Sequence, residues 1–188
     1  WESHRPRTPR LRHVLATGGY APADLHTVVL TPLGWDPCPT LDLSAESTDI
    51  VAQREGWSSG ADPYPPHAVR YGATSAGAVR EWPSRDLRPV DGEVELRPGV
   101  VAFPTPGHTP GHQSLAVDTG AGTTLVAADA VPTFANVDRE AGVPRRLGGA
   151  MDQIAWWESA TEVLDRGDTV LPGHEWAVLD AEPAGVVG

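Results

Sequence analysis

The chain has 188 residues, 40% of them hydrophobic, and a formal net charge of −11 at pH 7. This length and this share of hydrophobic residues suit one hydrophobic core in a single domain. No apolar run approaches the roughly 18 residues of a membrane span. All its basic residues are arginines and none are clustered, which argues against nucleic-acid binding. The single cysteine, Cys38, excludes an intrachain disulfide and favours a reducing, cytoplasmic location.

The first half of the chain predicts alternating helices and strands separated by a long loop. In chain order we expect a helix over 8–17 closed by Gly18–Gly19, a strand over 27–31, a helical turn over 37–44, a strand over 49–54, a loop over 56–74 and a helix near 75–82.

From residue 87 onward the pattern indicates β-structure, followed by one helix and a last strand. "VELRPGVVAF" predicts a hairpin around Pro98–Gly99, and "QSLAVDTGAGTTLVAAD" predicts another around Gly120–Gly122. The best helix covers 150–166 and ends at Gly167; its predicted face consists of Ile154, Trp157, Ala160 and Leu164. Of the adjacent Trp156 and Trp157, at most one faces the core. "TVLP" at 169–172 predicts the last strand.

Paired strands with helices between them predict an α/β domain, residues 1–188, with two sheets covered by helices. The chain opens with a helix and then a buried strand, with no earlier strand for that strand to pair with. We therefore expect the first part of the domain to lie outside this sequence or on another chain.

Four potential metal ligands follow predicted strands. Asp36, Asp129 and His174 come after the strands near 27–31, 123–128 and 169–172, and His108 lies in "TPGHTPGH" at 105–112. Such strand ends converge on one rim in layered α/β folds. Imidazole and carboxylate ligands suit Zn²⁺, Fe or Mn.

Each candidate also has a structural interpretation. Asp36 could cap a turn that begins at Pro37, and Asp129 could anchor neighbouring backbone N–H groups. Without a metal, His108 and His174 would be ordinary hydrogen-bonded residues. Cys38 could be a nucleophile or a small core residue. Trp35 and Cys38 are candidates for lining a pocket.

Three blocks identify a family resemblance. "FPTPGHTPGHQSLAV", "LVAADAV" and "VLPGHE", in this order and spacing, resemble the metallo-β-lactamase superfamily, and the branch they fit best is that of the N-acyl homoserine lactonases. "IVAQREGW" also fits that branch. The resemblance implies an αββα sandwich whose N-terminal strands are missing here, and it implies that His112 packs behind the site loop.

The segment after the first strand departs from the family pattern. In the family, this strand runs into His-x-His-x-Asp-His, whereas Pro32, Gly34 and Pro37 occupy the three histidine positions here and only Asp36 remains. By resemblance, His108 would serve one metal position. Asp36 and His174 would serve the other, and Asp129 would bridge the two. The resemblance therefore implies one Zn (or Fe or Mn) ion at most, or none.

We expect an enzyme acting on a small molecule, such as a lactone, an ester or a secondary-metabolite intermediate, with Asp36 and His108 as catalytic residues. The reaction would be hydrolysis or a redirected elimination, isomerisation or cyclisation. The alternative is a pseudoenzyme that binds a small ligand or a partner subunit. No nucleic-acid or membrane partner is expected, and the sheet is expected to be completed by an N-terminal segment outside this sequence, by a homodimer or by a second chain.

Overall fold

Two β-sheets form the framework of the protein. The computed structural model describes residues 15–33, 47–71, 86–138, 140–145 and 149–178. The smaller sheet is parallel and has the order β1 (Thr27–Val29), β2 (Asp49–Gln53) and β3 (Leu87–Val90).

The larger sheet has five strands. Four of them form an antiparallel meander, β4 (Val94–Arg97), β5 (Val100–Pro104), β6 (Gln113–Thr119) and β7 (Gly122–Ala128). A small ribbon of β8 (Val137–Asp138) and β9 (Val143–Pro144) follows. The last strand, β10 (Thr169–Pro172), runs parallel to β7 and completes the order β10-β7-β6-β5-β4.

Helices cover both sheets. Helix α1 (Arg54–Ala61) contacts β2 and β3, and helix α2 (Gln153–Arg166) contacts β7 and β9. Short 3₁₀ helices occupy Pro22–Asp24, Pro65–Tyr71 and Phe134–Asn136. The predicted layered α/β fold is confirmed. Among the described residues, no helix has the length and apolar character needed to cross a membrane.

The main core lies between α2 and the larger sheet, and it corrects the predicted face of this helix. Ile154 and Trp157 are 74% and 44% exposed, whereas Trp156 and Val163 are fully buried. The predicted face is therefore wrong at Ile154 and Trp157 and right at Ala160 and Leu164, which are buried in the core and packed against it, respectively. As predicted, only one of the two tryptophans faces the core. The helix start fixes its rotation, because Asp152 caps the N-terminus and the backbone N–H groups just before the helix donate to the carbonyl of Gly107.

Most predicted strands are confirmed, and one predicted loop is wrong. Both hairpins are present, with Gly99 at φ +76° and Gly122 at φ +121°. The described part of the predicted loop, 56–71, is mostly helical, since α1 extends into it as far as Ala61 and a 3₁₀ helix covers Pro65–Tyr71. Its glycines disfavour a helix, but packing overrides that propensity because Gly56 is buried against the site loop.

The remaining predictions concern the first part of the chain and 72–85. The strand near 27–31 is Thr27–Val29, and the strand at 49–54 ends at Gln53 because Arg54 begins α1. Residues 15–17 are helical and end at Gly18–Gly19, as predicted, while the earlier part of that predicted helix, 8–14, lies outside the described residues. The turn over 37–44 and the helix near 75–82 lie outside the described residues.

Candidate functional site

Three of the four predicted ligands meet at one edge of the larger sheet. Asp129 follows β7 and His174 follows β10, and these strands are parallel neighbours, so both side chains emerge at the same edge. His174 Nε2 lies 3.0 Å from Asp129 Oδ1, and His108 Nε2 lies 3.5 Å from Asp129 Oδ2. The carboxylate is thus held between two imidazoles, one on each oxygen.

Two glycines let the loop 105–112 approach both helices. A Cβ on Gly107, whose φ is +125°, would lie 2.2 Å from the backbone nitrogen of Trp156 in α2. A Cβ on Gly111 would lie 1.9 Å from the backbone nitrogen of Gly56 in α1. Real Cβ contacts are never this short, so both positions require glycine. The glycine frame of "TPGHTPGH" therefore seats the loop between the helices and fixes the position of His108.

The hydrogen bonds of His108 define which ring nitrogen carries the proton. Its Nδ1 contacts the carbonyl oxygen of Gly149, which can only accept, so Nδ1 is the protonated nitrogen. In the neutral ring, Nε2 then carries the lone pair, and it lies 3.5 Å from Asp129 Oδ2. Two acceptors cannot hydrogen-bond to each other, so a proton or a cation between them would make this contact favourable.

The separations also fit the edges of a metal coordination shell. Two ligand atoms that each lie about 2.1 Å from Zn²⁺ at a tetrahedral angle are about 3.4 Å apart. The two nitrogen–oxygen distances of 3.0 and 3.5 Å are close to this value. A metal ion placed between Asp129 Oδ1 and His174, or between Asp129 Oδ2 and His108, would therefore have one carboxylate oxygen and one imidazole within reach.

The described residues do not complete either position. They contain no group of three or more His, Cys, Asp or Glu side chains arranged to hold a metal ion. Catalytic zinc sites usually have three protein ligands. Asp36 lies outside the described residues, as do the predicted pocket residues Trp35 and Cys38. Pro32 is described and buried, and its side chain has no donor atom.

His112 lies behind the site and is fully buried. Its Nδ1 lies 3.0 Å from the carbonyl oxygen of Thr105 and 2.8 Å from the Thr105 hydroxyl, and its Nε2 accepts the N–H of Asp129 at 3.2 Å. Burial lowers the pKa of His112 to about 4; the Asp129 carboxylate opposes this shift and His108 adds to it. His112 is therefore a neutral, hydrogen-bonded residue at neutral pH.

Two buried glutamines, Gln53 and Gln113, support the start of the loop that follows β1. The backbone N–H of Gln113 donates to Thr31 and its side-chain amide donates to Leu30, at 3.0 and 2.8 Å. The Gln53 amide donates to the Gln113 side-chain oxygen and to the carbonyl of Gly92. These amides connect the two sheets. Our sequence reasoning missed them, and the only available signal was a glutamine directly after His112.

Comparison with known proteins identifies the class. Residues 48–174 match the family model of the metallo-beta-lactamase superfamily, so the chain belongs to this superfamily. The predicted family is confirmed. The match begins after the segment that contains Pro32, Gly34 and Pro37.

The similar curated proteins are N-acyl homoserine lactonases. One from a Bacillus species is 31% identical over 134 residues, which cover 70% of this chain and 48% of that protein. The lactonase of Bacillus thuringiensis is 30% identical over the same shares. The chain thus spans about half the length of the curated relatives it matches.

Solved structures show the same fold. A mutant of the Bacillus thuringiensis lactonase AiiA, with N-decanoyl-L-homoserine at its active site, aligns with a TM-score of 0.68 and 24% identity, covering 90% of this chain and 64% of that one. AidC, described as a dizinc quorum-quenching lactonase, aligns with a TM-score of 0.69 and 15% identity, covering 92% and 65%.

Proposed function

We propose that this protein is a metallo-β-lactamase-fold hydrolase that opens the lactone or ester bond of a small molecule through a degenerate metal site. The observation that carries the proposal is the Asp129 carboxylate held between the Nε2 atoms of His108 and His174. Matched relatives named for lactone hydrolysis favour hydrolysis over elimination, isomerisation or cyclisation.

The site residues have separate roles in this proposal. Asp129, His174 and Asp36 would hold one Zn, Fe or Mn ion, which when bound supplies Lewis-acid polarisation of the carbonyl and activates a water. His108 is fixed by Gly149 with its Nε2 lone pair directed into the site, so it accepts the proton of the attacking water. Asp36 enters from the family resemblance as a ligand and second catalytic carboxylate.

The proposal that the metal site is degenerate is based on the sequence. Pro32, Gly34 and Pro37 carry no metal-binding side-chain atom, and the prolines also fix φ where the family's loop curls around its ions. We therefore propose one ion at most. Trp35 and Cys38, in the same segment, would line the substrate pocket.

Lactone hydrolysis by the purified chain tests the proposal. We expect slow turnover of a homoserine lactone that increases with added Zn²⁺ and falls at least tenfold in His108→Ala and in Asp129→Asn. His26→Ala, at an exposed histidine outside the site, is the matched control and should leave the rate unchanged. Full activity in either site variant would contradict the proposed roles.

Restoring the missing ligands tests the degeneracy separately. Pro32→His, Gly34→His and Pro37→His together should raise the zinc content per chain and the lactonase rate. No gain in metal by the folded triple variant would mean that the segment does not approach Asp129.

The three substitutions also favour a second candidate, a pseudoenzyme that binds a small ligand or a partner subunit. Calorimetry separates the two candidates: the pseudoenzyme binds a lactone without turnover with or without added Zn²⁺, whereas the enzyme consumes it.

We also propose that the outer edge of β1 is covered by a further strand, from other parts of the protein or from a second copy. The Leu30 N–H and the His26 carbonyl form hydrogen bonds with β2, so the backbone N–H and carbonyl groups of Thr27 and Val29 point to the other side, towards the open edge. Slow hydrogen exchange at the Val29 amide would support a covered edge, and concentration-dependent protection would indicate a second copy. Fast exchange at all concentrations would contradict it.

The cytoplasmic location stays a prediction.

A further inference from the structure

We propose that His112 and Trp156 are positioning residues that clamp the Asp129 peptide, so that its carboxylate faces both His108 and His174. This inference rests on the proposed function where it refers to catalysis. Its structural part stands on the geometry alone. Neither residue was a predicted site residue, since His112 was expected only to pack behind the loop and Trp156 only to be a core candidate.

The clamp consists of two hydrogen bonds on opposite sides of Asp129. His112 Nε2 accepts the Asp129 N–H at 3.2 Å, and the Trp156 indole N–H donates to the Asp129 carbonyl at 3.2 Å. Both side chains are fully buried. The main chain of Asp129 is therefore held on both sides by side chains from distant parts of the sequence, which leaves the carboxylate to the two imidazoles.

A clamp is needed because the preceding residue has an unfavourable backbone conformation. Ala128 has φ +47°, and it is the only non-glycine residue with a positive φ in the described part of the chain. Such a conformation is costly for a residue with a Cβ and persists only where its surroundings enforce it. Gly173 donates its N–H to the Ala128 carbonyl at 3.2 Å and packs closely against Ala128. Without the clamp, relaxation of this turn would rotate the carboxylate away from the imidazoles.

His112 is itself fixed by a buried hydroxyl chain. The Thr105 carbonyl requires the proton on His112 Nδ1, which leaves Nε2 as an acceptor for Asp129. The Thr105 hydroxyl lies 2.8 Å from that of Ser114, which donates to the Ala127 carbonyl in β7. The His112 ring stands edge-on to His108 without bonding to it. Because both its nitrogens are committed, His112 acts on the site through Asp129.

Single substitutions can remove each arm of the clamp with limited loss of packing. Trp156→Phe removes the indole N–H, and Trp157→Phe, at the adjacent half-exposed tryptophan, is the matched control. His112→Leu removes the acceptor. His112→Gln is the conservative variant, because its side-chain oxygen can accept the Asp129 N–H in place of Nε2.

The first measurement uses the metal-free protein and is independent of catalysis. In ¹⁵N NMR spectra of the imidazoles, Trp156→Phe and His112→Leu should shift the Nε2 signals of His108 and His174, whereas Trp157→Phe should not. His112→Gln should restore the wild-type signals. Unchanged signals in both folded clamp variants would overturn the inference.

The second measurement uses zinc and substrate. We expect Trp156→Phe and His112→Leu to weaken zinc binding about 10-fold in competition with a chromophoric chelator, in the range seen when residues that orient ligands are removed. They should lower kcat with little change in KM. Reduced urea resistance with unchanged zinc affinity and kcat would show a merely structural role and overturn the inference. If the wild type hydrolyses no lactone, the proposed function fails, while the NMR result still decides the clamp.

Discussion

Acid should destabilise this protein through the buried imidazole of His112. Burial lowers the pKa of His112 to about 4 in the folded protein, against about 6.5 in an unfolded chain. Between these values the unfolded state binds the proton and the folded state does not. The contribution of His112 to stability is therefore fully present above about pH 6.5 and is lost as pH falls towards 4.

The size of this effect follows from the two pKa values. Each pKa unit corresponds to about 1.4 kcal/mol, so the difference gives roughly 3 kcal/mol in total, of which about 2 kcal/mol is lost between pH 7 and pH 5. The groups around the ring are His108, the Asp129 carboxylate and the Thr105 carbonyl and hydroxyl. Of these, only the Asp129 carboxylate and the hydrogen bond to the Thr105 backbone favour protonation.

Urea unfolding of the metal-free protein at several pH values measures the effect. His112→Gln should lose most of the slope between pH 7 and pH 5, while His26→Gln, at an exposed histidine, controls for the removal of an imidazole. NMR titration of the seven histidines gives a direct check. Titration of His112 near pH 6.5, or an unchanged slope in a folded His112→Gln, would refute the reasoning.

Two further predictions concern packing. Gly111→Ala should destabilise the protein by about 3 kcal/mol, because its Cβ would lie 1.9 Å from the Gly56 nitrogen. Gly120→Ala is the control and should change stability little, since no atom lies within 4 Å of its Cβ. Equal unfolding midpoints for the two variants would contradict the close approach of Gly111 to Gly56. Gln113→Leu should cost about 1–3 kcal/mol in urea unfolding, because the Leu30 carbonyl loses the side-chain amide that donates to it and the Gln53 amide loses one of its two acceptors. Exposed Gln153→Leu should cost much less.

Local patterns in the sequence predicted the strands and turns well. Alternating apolar residues and glycine turns defined both hairpins, and the resemblance of three motif blocks led to the family. The helix at 54–61 was missed because its glycines argue against a helix. Close contacts with Leu33 and Gly111, which both lie far from Gly56 along the chain, explain why a glycine is suited to that place.

The candidate site was likewise predicted only in part. His108, Asp129 and His174 were found because they follow predicted strands, and the structure brings them together. The clamp on Asp129 was not predicted, because its hydrogen bonds depend on how α2 and the loop 105–112 pack on the strand ends. A pattern of neighbouring residues contains no information about such distant contacts.

The metal content of the folded protein tests the central claim most directly. Elemental analysis after purification with Zn²⁺ and dialysis against a weak chelator should find at most one metal ion per chain, with incomplete occupancy, because the family's three motif histidines are replaced by Pro32, Gly34 and Pro37. Two tightly held ions per chain would contradict the account, since Asp36, His108, Asp129 and His174 cannot hold two ions tightly.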